Sequence, residues 1–221
     1  MQIGQIIQLI AVAAIPILFA ITLHEAAHGY VARHFGDMTA ARAGRISLNP
    51  LRHIDPIGTI LLPIVTLALG GIIFGWAKPV PVNFGALRHP KKDMLWVALA
   101  GPASNLVMAF GWALIAKIAL VMQSSYFAEP MWNMARYGIM INAVLIALNM
   151  LPIPPLDGGR VAVSLLPYRQ AIALSRIEPY GMFILIFMIM PIFNGMSLLS
   201  MLLMPVVNVL TRLIALIFGL H

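Results

Sequence analysis

The chain has 221 residues, of which 61% are hydrophobic and 10% are charged, and its mean hydropathy is +0.94. Soluble domains carry about 25% charged residues, so this composition excludes a soluble protein. The segments between the apolar runs are too short for a soluble domain of about 50 residues. The sequence therefore predicts one membrane domain over residues 1–221. The net charge of +7 fits basic loops of a membrane protein better than a nucleic-acid partner, and the lack of cysteine excludes disulfides and thiolate metal ligands.

The helices are predicted from long apolar runs, which lie at about 6–32, 57–75, 94–122, 132–151 and 179–220. A span needs about 20 residues, so the third run is long for a single crossing. The last run contains Pro191 and the pair Asn194-Gly195, which predicts a turn between two helices. We therefore expect an all-α polytopic membrane protein with five to six transmembrane helices.

The first run contains the motif HExxH, as His24-Glu25-Ala26-Ala27-His28. Two histidines four residues apart lie on one face of a helix and can bind one metal ion, with Glu25 between them as a base. Charged and metal-binding groups inside an apolar span are costly, which favours a functional site. The alternative is that the three side chains only form hydrogen bonds between helices.

The next segment is predicted to be a re-entrant helix/β-strand element at about 57–90. Basic residues favour the cytoplasmic side for 33–55 and for 152–178, and a full crossing by 57–75 would put the basic loop that follows it outside. An ordinary span that breaks the charge rule is the alternative. Non-helical backbone at membrane depth needs cover from protein or a water-filled cavity, so we expect an extended substrate-binding strand against the active site. Its candidate residues are Pro79, Val80, Pro81, Val82 and Asn83.

A third metal ligand is needed, because a catalytic zinc ion has three protein ligands and one open position. Asp157 is the best candidate by position, since it follows the run at 132–151 within the sequence LPIPPLDGG at 151–159. Its prolines break the helix and its glycines allow close backbone contact. The alternative is that Asp157 caps a helix that begins near Arg160.

Four motifs in order resemble the site-2 protease family of intramembrane zinc metalloproteases, in its compact form without a PDZ or CBS domain. They are HEAAH at 24–28, GWAKPVPVN at 75–83, GPASN at 101–105 and NMLPIPPLDGG at 149–159. The resemblance covers about 20–180. It implies one Zn²⁺ per chain, bound by His24, His28 and Asp157, with Glu25 as the general base.

Two asparagines within these motifs are further candidates. The amide of Asn149 or Asn105 can donate a hydrogen bond to the oxyanion of a tetrahedral intermediate or orient the scissile peptide. The alternative is that both amides only join helices, as membrane bundles often do.

The expected function is that of a zinc-dependent endopeptidase, which cleaves transmembrane segments of membrane proteins. The resemblance implies substrates that are single-span membrane proteins. We expect a multi-pass protein of the cell membrane, in contact with the lipid bilayer and with the active site toward the cytoplasmic side. The alternative is a membrane zinc transporter or metal sensor that uses the same His/His/Asp site, which the lack of a second polar pathway disfavours.

Overall fold

The computed structural model describes residues 3–61, 75, 77–193 and 195–220. Its α-helices are α1 (Ile3–His34), α2 (Thr39–Arg42), α3 (Pro90–Val121), α4 (Ala128–Asn149), α5 (Asp157–Leu165), α6 (Tyr168–Ser175), α7 (Glu178–Ile189) and α8 (Leu198–Phe218). Short 3-10 helices lie at Pro50–His53 and Phe84–Ala86, and a π-helical turn lies at Pro56–Leu61. An antiparallel hairpin of β1 (Pro191–Phe193) and β2 (Met196–Ser197) precedes α8.

Four helices in the described part are long and apolar enough to cross a membrane: Val12–His34 within α1, then α3, α4 and α8. The pair α6 and α7 is bent by 60° and would make five if it formed one broken span. This confirms an all-α polytopic membrane protein. The re-entrant element predicted at about 57–90, or the full crossing that is its alternative, includes 62–74 and residue 76, which lie outside the described residues.

Helix α3 packs against both α1 and α4, and α4 in turn packs against α8. Small side chains line the close contacts, as is common where membrane helices pack without a solvent-driven hydrophobic effect. Ala109 and Ala113 of α3 are buried in one cluster with Ile139 of α4 and Ile214 of α8. Nearer the C-terminus of α4, a second buried cluster contains Ala143, Ala147, Leu203 and Val207. Helix α8 therefore runs antiparallel to α4.

Helix α1 ends in a turn that requires glycine. Gly36 has a φ of +107°, a conformation that side chains with a Cβ rarely adopt. Its N–H donates to the Arg33 carbonyl at 3.1 Å, and the Asp37 N–H donates to the Ala32 carbonyl at 2.9 Å, which together form a Schellman cap. The cap turns the chain so that the Asp37 carboxylate accepts from the N–H of Asn83 at 2.7 Å.

The proline segment after α4 is packed tightly against the start of α5. A Cβ at Gly159 would lie 2.4 Å from the Pro154 nitrogen, and one at Gly158 would lie 2.4 Å from the Leu151 oxygen. Only glycine permits this approach, as the sequence predicts. The close packing fixes the position of Asp157, the first residue of α5. Gly195, in the predicted turn, lies between β1 and β2 with a φ of +81°, whereas Asn194 lies outside the described residues.

Candidate metal centre

Three potential metal ligands converge from two helices. Nε2 of His24 lies 3.1 Å from Nε2 of His28, and the two nitrogens lie 3.2 and 3.3 Å from the two carboxylate oxygens of Asp157. Zinc binds such ligands at about 2.0–2.1 Å in a tetrahedron, whose ligand–ligand edges are then about 3.3 Å. The three side chains form the one metal-binding group of this kind in the described part of the chain.

The outer ring nitrogens of both histidines lie against oxygen atoms. Nδ1 of His28 lies 2.7 Å from the carbonyl oxygen of Val97, and Nδ1 of His24 lies 2.6 Å from Oδ1 of Asn105. Both oxygens accept, so both Nδ1 atoms carry a proton. In the neutral form that binds metals, each Nε2 atom then presents a lone pair to the other and to the carboxylate, an arrangement that a shared cation stabilises.

The carboxylate of Asp157 gives a second sign that a cation fits this site. Its Oδ2 atom is buried and, apart from the 3.2 Å contact with Nε2 of His24, forms no hydrogen bond within the described ranges, and a buried unsatisfied acceptor is costly. Asp157 also makes no capping hydrogen bond at the start of α5, where Leu156 occupies the N-cap position. The donor set of two imidazoles and one carboxylate suits Zn²⁺.

Close packing of α3 on the two histidines depends on Gly101. A Cβ at this position would lie 2.5 Å from Cε1 of His24 and 2.5 Å from Nε2 of His28. The pair of ring contacts leaves no room for a methyl group. Gly101 is therefore the residue that lets α3 approach the face of α1 that carries the two histidines.

Substituting Gly101 with alanine should displace the histidine rings and weaken zinc binding by about tenfold or more, the scale at which changes around metal ligands act. Zinc per purified chain, measured by mass spectrometry of the metal after dialysis against a chelator, checks this. Gly111→Ala on the same helix is the matched control, because a Cβ there meets nothing within 4 Å. Equal zinc retention by both variants would contradict the packing argument.

Glu25 opens onto the same cavity as the three ligands. The cavity has a volume of about 310 Å³, and its walls include Val80, Asn149 and Arg160. One carboxylate oxygen of Glu25, Oε2, accepts a hydrogen bond from the N–H of Val80 at 2.7 Å. The other oxygen has no partner among the described residues and remains available to a reactant in the cavity.

The predicted strand lies at this cavity, although only part of it forms the wall. Pro79, Val80 and Val82 line the cavity, whereas Pro81 and Asn83 do not. The segment contains no helix and pairs with no strand in the described part of the chain. Its conformation follows from the prolines, which fix their own φ and disfavour helix at the residues before them.

The two asparagine candidates occupy different places. Asn149 lines the cavity, and its amide nitrogen donates one hydrogen bond to the carbonyl of Leu145 at 3.0 Å. Asn105 is fully buried behind His24, and its amide nitrogen donates to the carbonyl of Ala20 and to Asn142. Asn105 therefore has no free donor for an oxyanion, and its geometry supports the alternative of a hydrogen bond between helices.

A larger cavity lies away from this chemistry. Its volume is about 540 Å³, and it lies among α3, α4 and α8, with Trp132, Arg136 and Thr211 in its wall. It contains no histidine or carboxylate. Size alone therefore does not identify the reactive site in this fold.

Sequence reasoning did not assign the parts played by Gly101, Asn142 and Asp37. Gly101 begins the GPASN motif, so the motif itself was a signal that this glycine matters. Asn142 is a fully buried polar residue in an apolar helix, a placement that usually has a bonding reason. The sequence carried no comparable signal that Asp37 holds the segment at Asn83.

Known proteins similar to this chain point to the same chemistry. The sequence profile described as peptidase family M50 matches residues 113–192. YwhC of Bacillus subtilis, named as a zinc metalloprotease, is 40% identical over 174 residues, which cover 76% of this chain and 74% of YwhC. Two proteins named Rip2 are also described as zinc metalloproteases. The one from Mycolicibacterium smegmatis is 33% identical, and the one from Mycobacterium tuberculosis strain H37Rv is 31% identical. Each match covers 80% of this chain and 66% of the relative.

No solved structure matches the chain. The similarity to YwhC and the M50 profile identify a multi-pass membrane protease that acts on protein substrates and uses zinc. The chain belongs to peptidase family M50, the site-2 protease family, and is a zinc metalloendopeptidase.

Proposed function

We propose that this protease cleaves peptide bonds within the transmembrane segments of single-span membrane proteins. His24, His28 and Asp157 hold the ion, and Glu25 is the general base. The observation that carries the proposal is that the three ligand atoms and Glu25 meet in one cavity, with three of the four side chains on a helix apolar enough to span a membrane.

Each residue then has a defined part in the reaction. When bound, Zn²⁺ supplies a Lewis acid that polarises a carbonyl and lowers the pKa of water toward about 7. Glu25 accepts the proton of the attacking water through its free oxygen and passes it to the leaving nitrogen as the C–N bond breaks. Asn149 has a second amide hydrogen beyond the one given to Leu145, which it donates to the carbonyl oxygen under attack.

The segment Pro79, Val80, Pro81, Val82, Asn83 binds the substrate as an added strand. Its prolines have no N–H, the N–H of Val80 is bound to Glu25, and that of Asn83 is bound to Asp37. The N–H of Val82 has no partner among the described residues, and Val82 lines the cavity. Val82 therefore supplies the one N–H of this segment that remains free to pair with an extended substrate.

Substituting Val82 with proline removes this donor and should lower the cleavage rate by about fivefold, the equivalent of one hydrogen bond worth about 1 kcal/mol. Zinc content should stay at the wild-type level, because Val82 forms no hydrogen bond with His24, His28 or Asp157. Val82→Ala is the matched control, since it shortens the side chain and keeps the N–H. Equal rates for the proline and alanine variants would argue against strand addition.

The active site faces the cytoplasm in the proposed orientation. Basic residues favour the cytoplasmic side of a cell membrane, and they cluster in 33–55 and 152–178, which follow the ligand-bearing part of α1 and include Asp157. Because the chain has no cysteine, a single cysteine placed at Arg42 reports its side by thiol labelling. Labelling of intact cells by a membrane-impermeant reagent would contradict this orientation.

The experiment that tests the function is co-expression of candidate membrane proteins with the wild type or with Glu25→Gln, followed by proteomics of the membrane fraction. Fragments that end within apolar segments should appear only with the wild type. A zinc transporter, the alternative function, gains no support from the described residues, which hold a single metal-binding group. Identical fragment sets for the two proteins would contradict the proposed protease activity.

A further inference from the structure

We propose that Asn105 and Asn142 are positioning residues, which form a relay that holds His24 in the tautomer whose Nε2 atom faces the metal. The inference rests on the proposed zinc site. It gives a role to two buried asparagines that do not touch the substrate cavity, and it joins α1, α3 and α4 at one ligand.

The hydrogen bonds of the relay can run in only one order from donor to acceptor. Nδ2 of Asn142 donates to the carbonyl of Gly138 at 2.8 Å, and Oδ1 of Asn142 accepts from Nδ2 of Asn105 at 2.8 Å. Nδ2 of Asn105 also donates to the carbonyl of Ala20 at 3.2 Å. Backbone carbonyls only accept, so they fix which end of each amide is the oxygen. Oδ1 of Asn105 must therefore accept from Nδ1 of His24.

Because the relay is buried, His24 cannot replace its hydrogen bond to Asn105 with one to water. Asn105 and Asn142 are both 0% exposed, and His24 is 6% exposed, so water does not replace a lost partner. If the proton of His24 moved to Nε2, the bare Nδ1 would face the oxygen of Asn105 at 2.6 Å. Two acceptors at that distance repel each other in a low-dielectric interior. The relay thus fixes a proton on Nδ1 of His24 and leaves Nε2 to face the metal.

His28 is held differently, and the difference makes the inference testable. Its Nδ1 donates to the backbone carbonyl of Val97, which no side-chain substitution removes. His24 is the ligand histidine whose orientation depends on side chains from two other helices. Substitutions of the relay should therefore weaken the site while His28 and Asp157 stay in place.

The test is the affinity of the purified full-length chain for Zn²⁺, by competition with a chromophoric chelator in detergent micelles. Asn105→Leu should weaken binding by about 10–100-fold, as removal of a partner behind a metal ligand does. Asn142→Leu should weaken it less, by about threefold to tenfold, because Ala20 still holds the amide of Asn105. Asn142→Asp should bind nearly as the wild type does, since a neutral carboxyl can accept from Asn105 and donate to Gly138.

A packing control separates the relay from general stability. Ala113→Val enlarges a fully buried residue of α3 in a cluster that contains no relay residue, so it should lower the melting temperature without changing zinc affinity. The visible spectrum of the Co²⁺-loaded protein gives a second readout. It should shift in the two leucine variants and stay unchanged in Ala113→Val.

Three results would overturn the relay. The first is zinc affinity of Asn105→Leu within about twofold of the wild type, well short of the expected range. The second is an equal loss of affinity in Ala113→Val. The third is equal zinc affinity of Asn142→Leu and Asn142→Asp, a comparison that decides the matter if Asn105→Leu does not fold. A wild-type chain that binds no Zn²⁺ would instead contradict the proposed metal site itself.

Discussion

Substituting Asp157 with alanine should remove zinc and proteolysis together. The carboxylate is the one proposed ligand from outside α1, and its oxygens lie 3.2 and 3.3 Å from the two Nε2 atoms. Without it, two imidazoles four residues apart remain, one short of the three protein ligands of a catalytic zinc site. Because changes behind a ligand already cost about 10–100-fold in affinity, loss of the ligand itself should cost at least about 100-fold.

The measurement is zinc per chain after dialysis against a chelator, paired with the cleavage rate of the same preparation. Asp93→Ala is the matched control, since Asp93 is also a buried carboxylate but accepts from the N–H of His89 at the start of α3. That variant should keep its zinc if it folds. Full zinc retention by Asp157→Ala would show that the ion is held elsewhere.

Substituting Glu25 with glutamine should separate metal binding from catalysis. The amide has nearly the shape of the carboxylate, and its oxygen can still accept from the N–H of Val80, the bond that orients Glu25. It cannot take a proton from water. General bases contribute about 10²–10⁴-fold to rate, so cleavage should fall by at least about 100-fold while zinc content stays at the wild-type level.

Paired measurements on purified protein check this second prediction. Glu129→Gln makes the same chemical change at an exposed residue at the start of α4, and it should keep both zinc and activity. Wild-type cleavage by Glu25→Gln would remove Glu25 from the mechanism. Loss of zinc from Glu25→Gln would instead show that the carboxylate supports the metal site directly.

The candidate ligand set could be predicted largely from local spacing. Two histidines four residues apart share a helix face whatever the rest of the fold does, and α1 is helical through both of them. Asp157 emerged from its place after a helix and before two glycines, and the family resemblance strengthened the assignment. The structure then brings it within 3.3 Å of both histidines.

The environment of the ligands could not be predicted in the same way. Whether Asn105 faces the substrate or His24 depends on how α3 is rotated against α1, and an almost uniformly apolar helix gives little periodic signal for its rotation. The role of Gly101 depends on the same rotation. Asn142 required a third helix, so its link to His24 emerges only from tertiary packing.

For the segment at 79–83, too, the local conformation could be predicted and the tertiary contacts could not. Its alternating prolines predict non-helical backbone, and the described structure has no helix there. Which N–H groups remain free is set by distant partners, since Glu25 takes that of Val80 and Asp37 takes that of Asn83. Local sequence therefore predicted the conformation and left open which backbone groups face the cavity.

The most direct test of the central claim is the position of the cut. Purified protein is reconstituted in liposomes with a single-span substrate, and the products are identified by mass spectrometry. We predict new termini inside the apolar span that require zinc and are absent with Glu25→Gln. Termini only in the soluble flanks of the substrate, or the same internal termini with Glu25→Gln, would contradict intramembrane cleavage by this site.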